Sequence, residues 1–369
     1  MASTELGHQE KAVLDAIASN PFVGQQEIAN ALGLARSTVA AHIVSLIQKG
    51  HILGRGYVLP EAKRVVCVGG AVLDRKYSAD KPIVPHTSNP VSGCRSFGGV
   101  ARNVAENLAR LGVGVSMVSS VGEDEAGRAI VDQLRGLAVD VSAVTALRGE
   151  RTAEYVAVLG PDSDLVVGLA DMDICDLITV ADIDRAWPQL ASAAWVFIDC
   201  NLPAEVIRAI VARRQGGRFR LAVNGVSTPK AMRLPEDLTG VDILFVNLDE
   251  ANALLGADHP TARLAAPALV ERGAGAVIIT QGSAGAVVAD ADGVVEVPST
   301  PARPVDVTGA GDALIAGTLY RLIAGEALAE ALRAGSVLAA LTVESRFTVL
   351  PELSPRLLDA AADRVPELT

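Results

Sequence analysis

Short apolar runs separated by helix-length stretches constrain the fold of this chain more than any other feature. The runs are Val65 to Val68, Val115 to Ser119, Trp195 to Asp199, Arg218 to Val223, Ile243 to Val246 and Val277 to Thr280. Such alternation predicts an α/β class with a mostly parallel sheet and helices on both faces, because parallel neighbours need long crossovers. Between the first two runs, Val100, Val104, Leu108 and Leu111 recur at helical spacing and mark one crossover helix. Half of the residues are hydrophobic but only 3% are aromatic. The core therefore falls to Ala, Val, Leu and Ile, which suits a sheet buried on both faces. With 369 residues the chain can form one large domain and a small appendage.

Two stretches depart from the alternation. Residues 72–97 are rich in Pro, Ser and Gly, and residues 150–170 alternate as a hairpin around Gly160-Pro161-Asp162; both are expected to form a small β lid. Ala286 to Ala289 and Val294 to Val297 read as two strands around Asp290-Ala291-Asp292-Gly293.

The first 60 residues follow another pattern. Residues 10–19 read as a helix ended by Asn20-Pro21, Gln25 to Leu32 as a second, and Ser37 to Gln48 as a third after the turn Gly33-Leu34-Ala35. That is helix-turn-helix spacing, and residues 50–59 alternate like a small hairpin with a Gly54-Arg55-Gly56 tip. The block resembles the winged helix-turn-helix of small bacterial regulators. In that reading Arg36, Ser37, Thr38 and His42 face the major groove while Lys49 and Arg55 neutralise phosphates. So few basic residues release few counterions, so a single copy binds DNA weakly and a dimer is needed. A helical domain used for protein contacts is the alternative. Pro60-Glu61-Ala62-Lys63 is a polar linker, dividing the chain into residues 1–60 and 64–369.

The net charge of -11 disfavours nonspecific nucleic-acid binding by the chain as a whole. Glu5, Glu10, Asp15 and Glu27 balance Lys11, Arg36, Lys49 and Arg55 in the first segment, so the acidity lies in the remainder. Cys67, Cys94, Cys175 and Cys200 show no paired metal-binding spacing and read as reduced thiols. The N-terminus is polar and no apolar run reaches about 18 residues, so a soluble cytoplasmic protein is expected.

Chemistry concentrates in Asp306-Val307-Thr308-Gly309-Ala310-Gly311-Asp312. Gly309, Ala310 and Gly311 open a helix whose unpaired N–H groups and dipole can hold a transferring phosphate. Asp312 stands beside that cradle, where it can accept a proton from an attacking hydroxyl. Read alone, the stretch equally suits an ordinary helix cap.

Other motifs accompany it. Phe97-Gly98-Gly99-Val100-Ala101-Arg102-Asn103 and Asp306 to Asp312 together resemble the two signatures of the ribokinase-like (PfkB) carbohydrate and nucleoside kinase family. The resemblance covers about residues 64 to 360. It implies a three-layer αβα fold, ATP and magnesium as cofactors, and a homodimer. By the same resemblance Gly98, Gly99 and Asn103 line an acceptor pocket with Asp74, whose carboxylate accepts from vicinal ribose hydroxyls. Asn247 and Glu250, in Asn247-Leu248-Asp249-Glu250, match the motif that orders magnesium and its waters. Thr280, Gly282 and Gly285 are expected at the ATP phosphates together with Asn247 and Thr308. Asp306 and Thr308 also match positions that hold a monovalent cation in relatives, which implies stimulation by potassium.

Within the family the sequence resembles pseudouridine kinases, several of which carry an N-terminal helix-turn-helix. Arg102 before Asn103, the segment Ala170 to Ile174, Asp199-Cys200-Asn201-Leu202-Pro203 and Val226 to Ala231 carry that likeness, while Asn224-Gly225 departs from it. Asp171, Asn201, Ser227 and Lys230 are therefore candidates for the base or ribose pocket, or else plain polar loop residues. The expected reaction is phosphorylation of the pseudouridine 5'-hydroxyl. The alternatives are a kinase for another sugar or nucleoside, and a nucleoside-responsive DNA-binding regulator.

Overall fold

The structure, a computed structural model, describes residues 6–20, 23–53, 63–162, 164–214 and 216–365. Three helices come first: α1 (His8–Ser19), α2 (Gln25–Leu32) and α3 (Arg36–Gln48). They close on Val13, Ile17, Ile28, Val39, Ile43, Leu46 and Ile52. A buried carboxylate fastens the ends of this bundle. Glu10 on α1 accepts from Ser45 Oγ at 2.5 Å and from Lys49 Nζ at 2.7 Å. Lys49, then Ser45, hold its carboxyl down at about 2. The expected hairpin tip, Arg55 included, lies outside the described residues.

The strands are β1 (Val65–Val68), β2 (Val72–Ser78), β3 (Ser92–Gly98), β4 (Val115–Gly122), β5 (Asp140–Leu147), β6 (Glu154–Leu159) and β7 (Leu165–Asp171). There follow β8 (Trp195–Asp199), β9 (Arg220–Asn224), β10 (Ile243–Asn247), β11 (Ala276–Thr280), β12 (Ala286–Asp290) and β13 (Gly293–Val297). Nine of them form one sheet in the order β13-β12-β11-β10-β9-β8-β1-β4-β5. Its β5-to-β11 stretch is parallel and the last two strands are antiparallel. Helices between the strands are α4 (Val100–Arg110), α5 (Glu125–Gly136), α6 (Val180–Ser192), α7 (Ala204–Arg214), α8 (Thr228–Ala231), α9 (Leu248–Leu255) and α10 (Ala262–Glu271). After the sheet come α11 (Ala310–Ala324), α12 (Leu328–Val343) and α13 (Pro355–Ala360).

Strand periodicity divides the core. Val65 and Cys67 of β1 face a layer containing α4, α5, α11 and α12, whereas Val66 and Val68 face α6, α7, α9 and α10. The α/β arrangement expected from the sequence, a mostly parallel sheet with helices on both faces, is thus the observed one. The lid is also present: β3-β2-β6-β7 make a separate four-stranded sheet. One main-sheet strand, β5, was not among the apolar runs. It lies at the sheet edge and carries Asp140, Ser142 and Thr145, and an edge strand half open to water needs no continuous apolar run.

The N-terminal bundle touches the α/β domain just after α3. There Arg218 donates to His51 Nδ1 at 2.7 Å, and burial followed by the Arg218 charge lowers His51 to about 4. No single helix among the described residues is long and apolar enough to cross a membrane.

Candidate active site

Two helix N-termini meet at Asp312. Gly309 precedes α11 with φ +83°, and a Cβ there would lie 2.2 Å from the Thr348 carbonyl oxygen. Only glycine fits so close a backbone contact in the left-handed region. Ala310 N–H bonds the Val307 carbonyl at 3.3 Å, while the N–H groups of Gly311 and Asp312 have no backbone acceptor among the described residues. Those donors, at the positive end of the dipole, form an anion cradle.

Asp312 Oδ2 accepts from Asn103 Nδ2 at 2.7 Å. Asn103 sits in the first turn of α4, and its amide orientation is set by a third residue. Arg102, only 2% exposed, donates to Asn103 Oδ1 at 2.8 Å and to the Phe97 carbonyl at 2.9 Å, and pairs with Glu106 on its own helix. A chain of contacts therefore runs Glu106, Arg102, Asn103, Asp312. Burial pushes the Asp312 carboxyl up to about 7, with the charges of Asp199 and Asp74 adding and Asn103 and Arg102 opposing. A carboxyl titrating near neutrality can both take and return a proton.

Asp74 projects from β2 over Gly98, where a Cβ would lie 2.0 Å from Asp74 Oδ2. Its carboxyl is pushed up to about 6 by burial, against the pull of Arg102 and Lys76. The structure thus gathers Asp74, Gly98, Gly99 and Asn103 around the start of α4. Beneath them Asp199, fully buried at the end of β8, accepts from the N–H groups of Ala101 at 2.9 Å, Gly70 at 3.0 Å and Asn201 at 3.0 Å. Asn201 accepts from Lys230, and Ser227 precedes α8, the short helix that carries Lys230. Asp171 stands apart. It is exposed at the end of β7 and lines a depression with Arg75, Asp124 and Arg151.

On the other side of Gly311 a cavity of about 610 Å³ runs between Thr280, Gly282, Gly285, Val297 and Val343. A smaller one of about 200 Å³ is lined by Asn224, Asn247, Glu250, Thr280, Gly311 and Asp312. Gly311 and Thr280 border both, so the anion cradle lies where the two spaces join. Asn247 and Glu250 cap α9 reciprocally: Asn247 Oδ1 accepts the Glu250 N–H at 2.9 Å, and the Glu250 carboxylate accepts from Asn247 N at 3.1 Å and Nδ2 at 3.0 Å. Glu250 is 4% exposed, burial raises its pKa, and its partners are neutral donors. A buried carboxylate with no cationic partner among the described residues, bordering a space of about 200 Å³ that Asn224, Asn247, Thr280 and Asp312 also line, fits a hydrated hard cation. At the loop start, Asp306 Oδ1 accepts from Thr308 N at 2.9 Å and Oγ1 at 2.6 Å, and Oδ2 pairs with Lys76.

Residues 62–354 match the family model described as pfkB family carbohydrate kinase, and residues 8–52 match winged helix-turn-helix DNA-binding. The chain belongs to the pfkB carbohydrate kinase family. It is similar to the uncharacterized sugar kinase YeiI of Escherichia coli, 31% identical over 95% of this chain and 97% of the relative. The Escherichia coli pseudouridine kinase is 28% identical over 80% of this chain and 95% of its own. Among solved structures, a carbohydrate kinase from Agrobacterium tumefaciens is 32% identical with a TM-score of 0.72, covering 83% of this chain and 98% of that one. This pfkB kinase is accordingly an ATP-dependent sugar or nucleoside kinase with an N-terminal winged helix-turn-helix.

On α3 of this pfkB kinase, Arg36 and Ser37 are exposed and Thr38 and His42 are half-buried. His42 Nε2 is buried, and Lys49 is paired with Glu10 rather than presented as a free phosphate contact. Three buried or half-buried residues at the cleft escaped sequence reasoning in these positions: Arg102 as the orienter of Asn103, Asp199 as the anchor of α4, and Lys76 on Asp306. Arg102 carried a visible signal, standing next to Asn103. Asp199 opened the segment Asp199 to Pro203 that carried the likeness, though nothing there marked its role as an anchor, and Lys76 carried no signal, since its partner is 230 residues away.

Proposed function

We propose that this kinase transfers the γ-phosphate of ATP to the 5'-hydroxyl of a nucleoside, pseudouridine, giving the 5'-phosphate and ADP. The observation that carries the reading is the Asn103–Asp312 hydrogen bond of 2.7 Å, which places a carboxyl titrating at about 7 beside the open N–H groups of α11. The 5'-hydroxyl gives its proton to Asp312 as its oxygen attacks the γ-phosphorus in line with the departing ADP oxygen. Gly311 and Asp312 N–H groups take up charge on the transferring group. Asp74 holds the vicinal ribose hydroxyls, with Gly98 leaving room for that carboxylate and Gly99 for the Gly70 backbone beside it. Thr280, Gly282, Gly285 and Thr308 serve the nucleotide. Asn247 and Glu250 would hold magnesium, which would supply positive charge at the phosphates.

Pseudouridine is favoured by the likeness to a pseudouridine kinase and by the Lys230–Asn201 pair with Ser227 at the start of α8. Asn201, Ser227 and Lys230 offer donors and acceptors for a uracil edge, and buried polar edges discriminate strongly. Asp171 stays outside this set. A homodimer is supported by β7, whose Leu165, Val166, Val167 and Leu169 are all exposed. Consumption of ATP and four unpaired cysteines suit the cytoplasm.

ADP release with pseudouridine, uridine, ribose and fructose 6-phosphate in parallel tests the acceptor. Turnover is expected with pseudouridine; turnover with ribose but not pseudouridine would sink that choice. A second reading, nucleoside-responsive DNA binding through Arg36, Ser37, Thr38, His42 and Arg55, is favoured by the Arg218–His51 contact between the domains. Operator retention that changes on adding nucleoside would establish it.

A further inference from the structure

The Asp306 carboxylate does not fit a monovalent cation. Both of its oxygens are engaged: Oδ1 accepts two hydrogen bonds from Thr308, and Oδ2 pairs with the ammonium of Lys76. Lys76 arrives from β2, 230 residues earlier in the chain, and the two side chains are 31% and 22% exposed. The cation that meets this carboxylate is thus a side chain of the protein itself.

The location gives this pair leverage. Val305 and Asp306 N–H groups bond the Val343 carbonyl at 2.7 and 3.2 Å, so the loop is tied to the end of α12 before it turns through Thr308 and Gly309 into α11. A cation at Asp306 neutralises the start of the turn that presents the Gly311 and Asp312 N–H groups. We propose that the Lys76 ammonium is a built-in cation that positions the anion cradle in place of a monovalent metal ion, making phosphoryl transfer independent of potassium. Lys76 shares β2 with Asp74, so the strand that holds the acceptor also supplies the counter-charge to the phosphate loop. The proposal rests on the reading of residues 306–312 as the phosphate cradle. Lys76 acts through the loop and is a positioning residue.

The test compares wild type, Lys76→Met and Lys76→Arg by ADP release and by thermal unfolding, at constant ionic strength in chlorides of potassium, ammonium or tetramethylammonium. Wild-type kcat is expected to stay within about twofold across the salts. Lys76→Met is expected to lose about tenfold or more in kcat in tetramethylammonium chloride and to regain most of it in potassium or ammonium chloride. KM for the acceptor should move less than kcat, and Lys76→Arg should remain active in every salt. Potassium should raise the melting temperature of Lys76→Met and leave that of wild type unchanged. Wild-type stimulation by potassium, or a Lys76→Met loss that no small cation restores, overturns the proposal. If Lys76→Met fails to fold, Lys76→Arg in tetramethylammonium chloride decides: inactivity there overturns it, and full activity supports it. Absence of turnover in every variant and salt would instead strike the kinase reading, because the melting temperatures report on the cation site alone.

Discussion

At the N-terminus of α4 the backbone is fastened from below by charge. Asp199 accepts from Ala101 and Gly70, Arg102 is locked between Glu106 and Asn103, and all of these side chains are buried. At the N-terminus of α11 the opposite holds. The loop before it exposes Val305 and Val307, and the Gly311 and Asp312 N–H groups are left open. A wall that must fix the direction of a neutral hydroxyl profits from saturated, rigid hydrogen bonds. An end that must receive a phosphate profits from unsatisfied ones. Asp312 belongs to the open helix and takes its hydrogen bond from the closed one.

The largest effect should come from removing the group on which both ends converge. Asp312→Asn is expected to lower kcat by about 10² to 10⁴ with far-ultraviolet circular dichroism unchanged. The same variant sharpens the pH behaviour. With the folded carboxyl at about 7 against an ordinary 3.8, the folded state binds more protons than the unfolded state between those values, so wild-type stability falls as pH rises through that window. Activity should rise over the upper part of the window as the base form appears. Asp312→Asn should melt higher than wild type at pH 8, and a lower melting point there would remove burial as the cause of the shift.

Next comes the closed end. Asp199→Ala leaves buried N–H groups without a partner and is expected to cost on the order of 3 kcal/mol in urea unfolding; a loss below about 1 kcal/mol would mean that water replaces the carboxylate. On the open end, Gly309→Ala meets a left-handed φ and the Thr348 carbonyl. It should cost about 1 to 3 kcal/mol and reduce kcat, whereas equal stability to wild type would show that the loop yields. Asn103→Ala removes a bond that favours ionised Asp312, so the acid limb of the kcat profile should move to higher pH with about a tenfold loss. An unmoved limb would break the link between the two helices. The smallest effect lies outside both ends: Arg36→Ala should lower the salt slope of operator binding by about one, measured by retention at several salt concentrations.

Much of this was legible in the sequence. The apolar runs located β1, β4, β8, β10 and β11, and Gly33 together with the helical periodicities marked the three N-terminal helices. The double-glycine and Gly309-Ala310-Gly311-Asp312 motifs named the two helix ends. Other features were hidden for definite reasons. Strand β5 is an edge strand whose polar residues blur its period. Lys49 read as a surface cation, but Glu10 lies against it across the bundle. Asp306 pairs with Lys76, and nothing near it in sequence announces that partner.

The elements, the class of fold and a phosphate-ready helix end follow from local residue patterns, because periodicity, capping and glycine conformations act over a few residues. Which polar groups meet is settled by long-range packing: Asn103 with Asp312, Asp199 with Ala101, Lys76 with Asp306. Those pairings depend on where crossovers deliver distant helices and strands, and an electrostatic contact carries no mark in the local pattern of either partner.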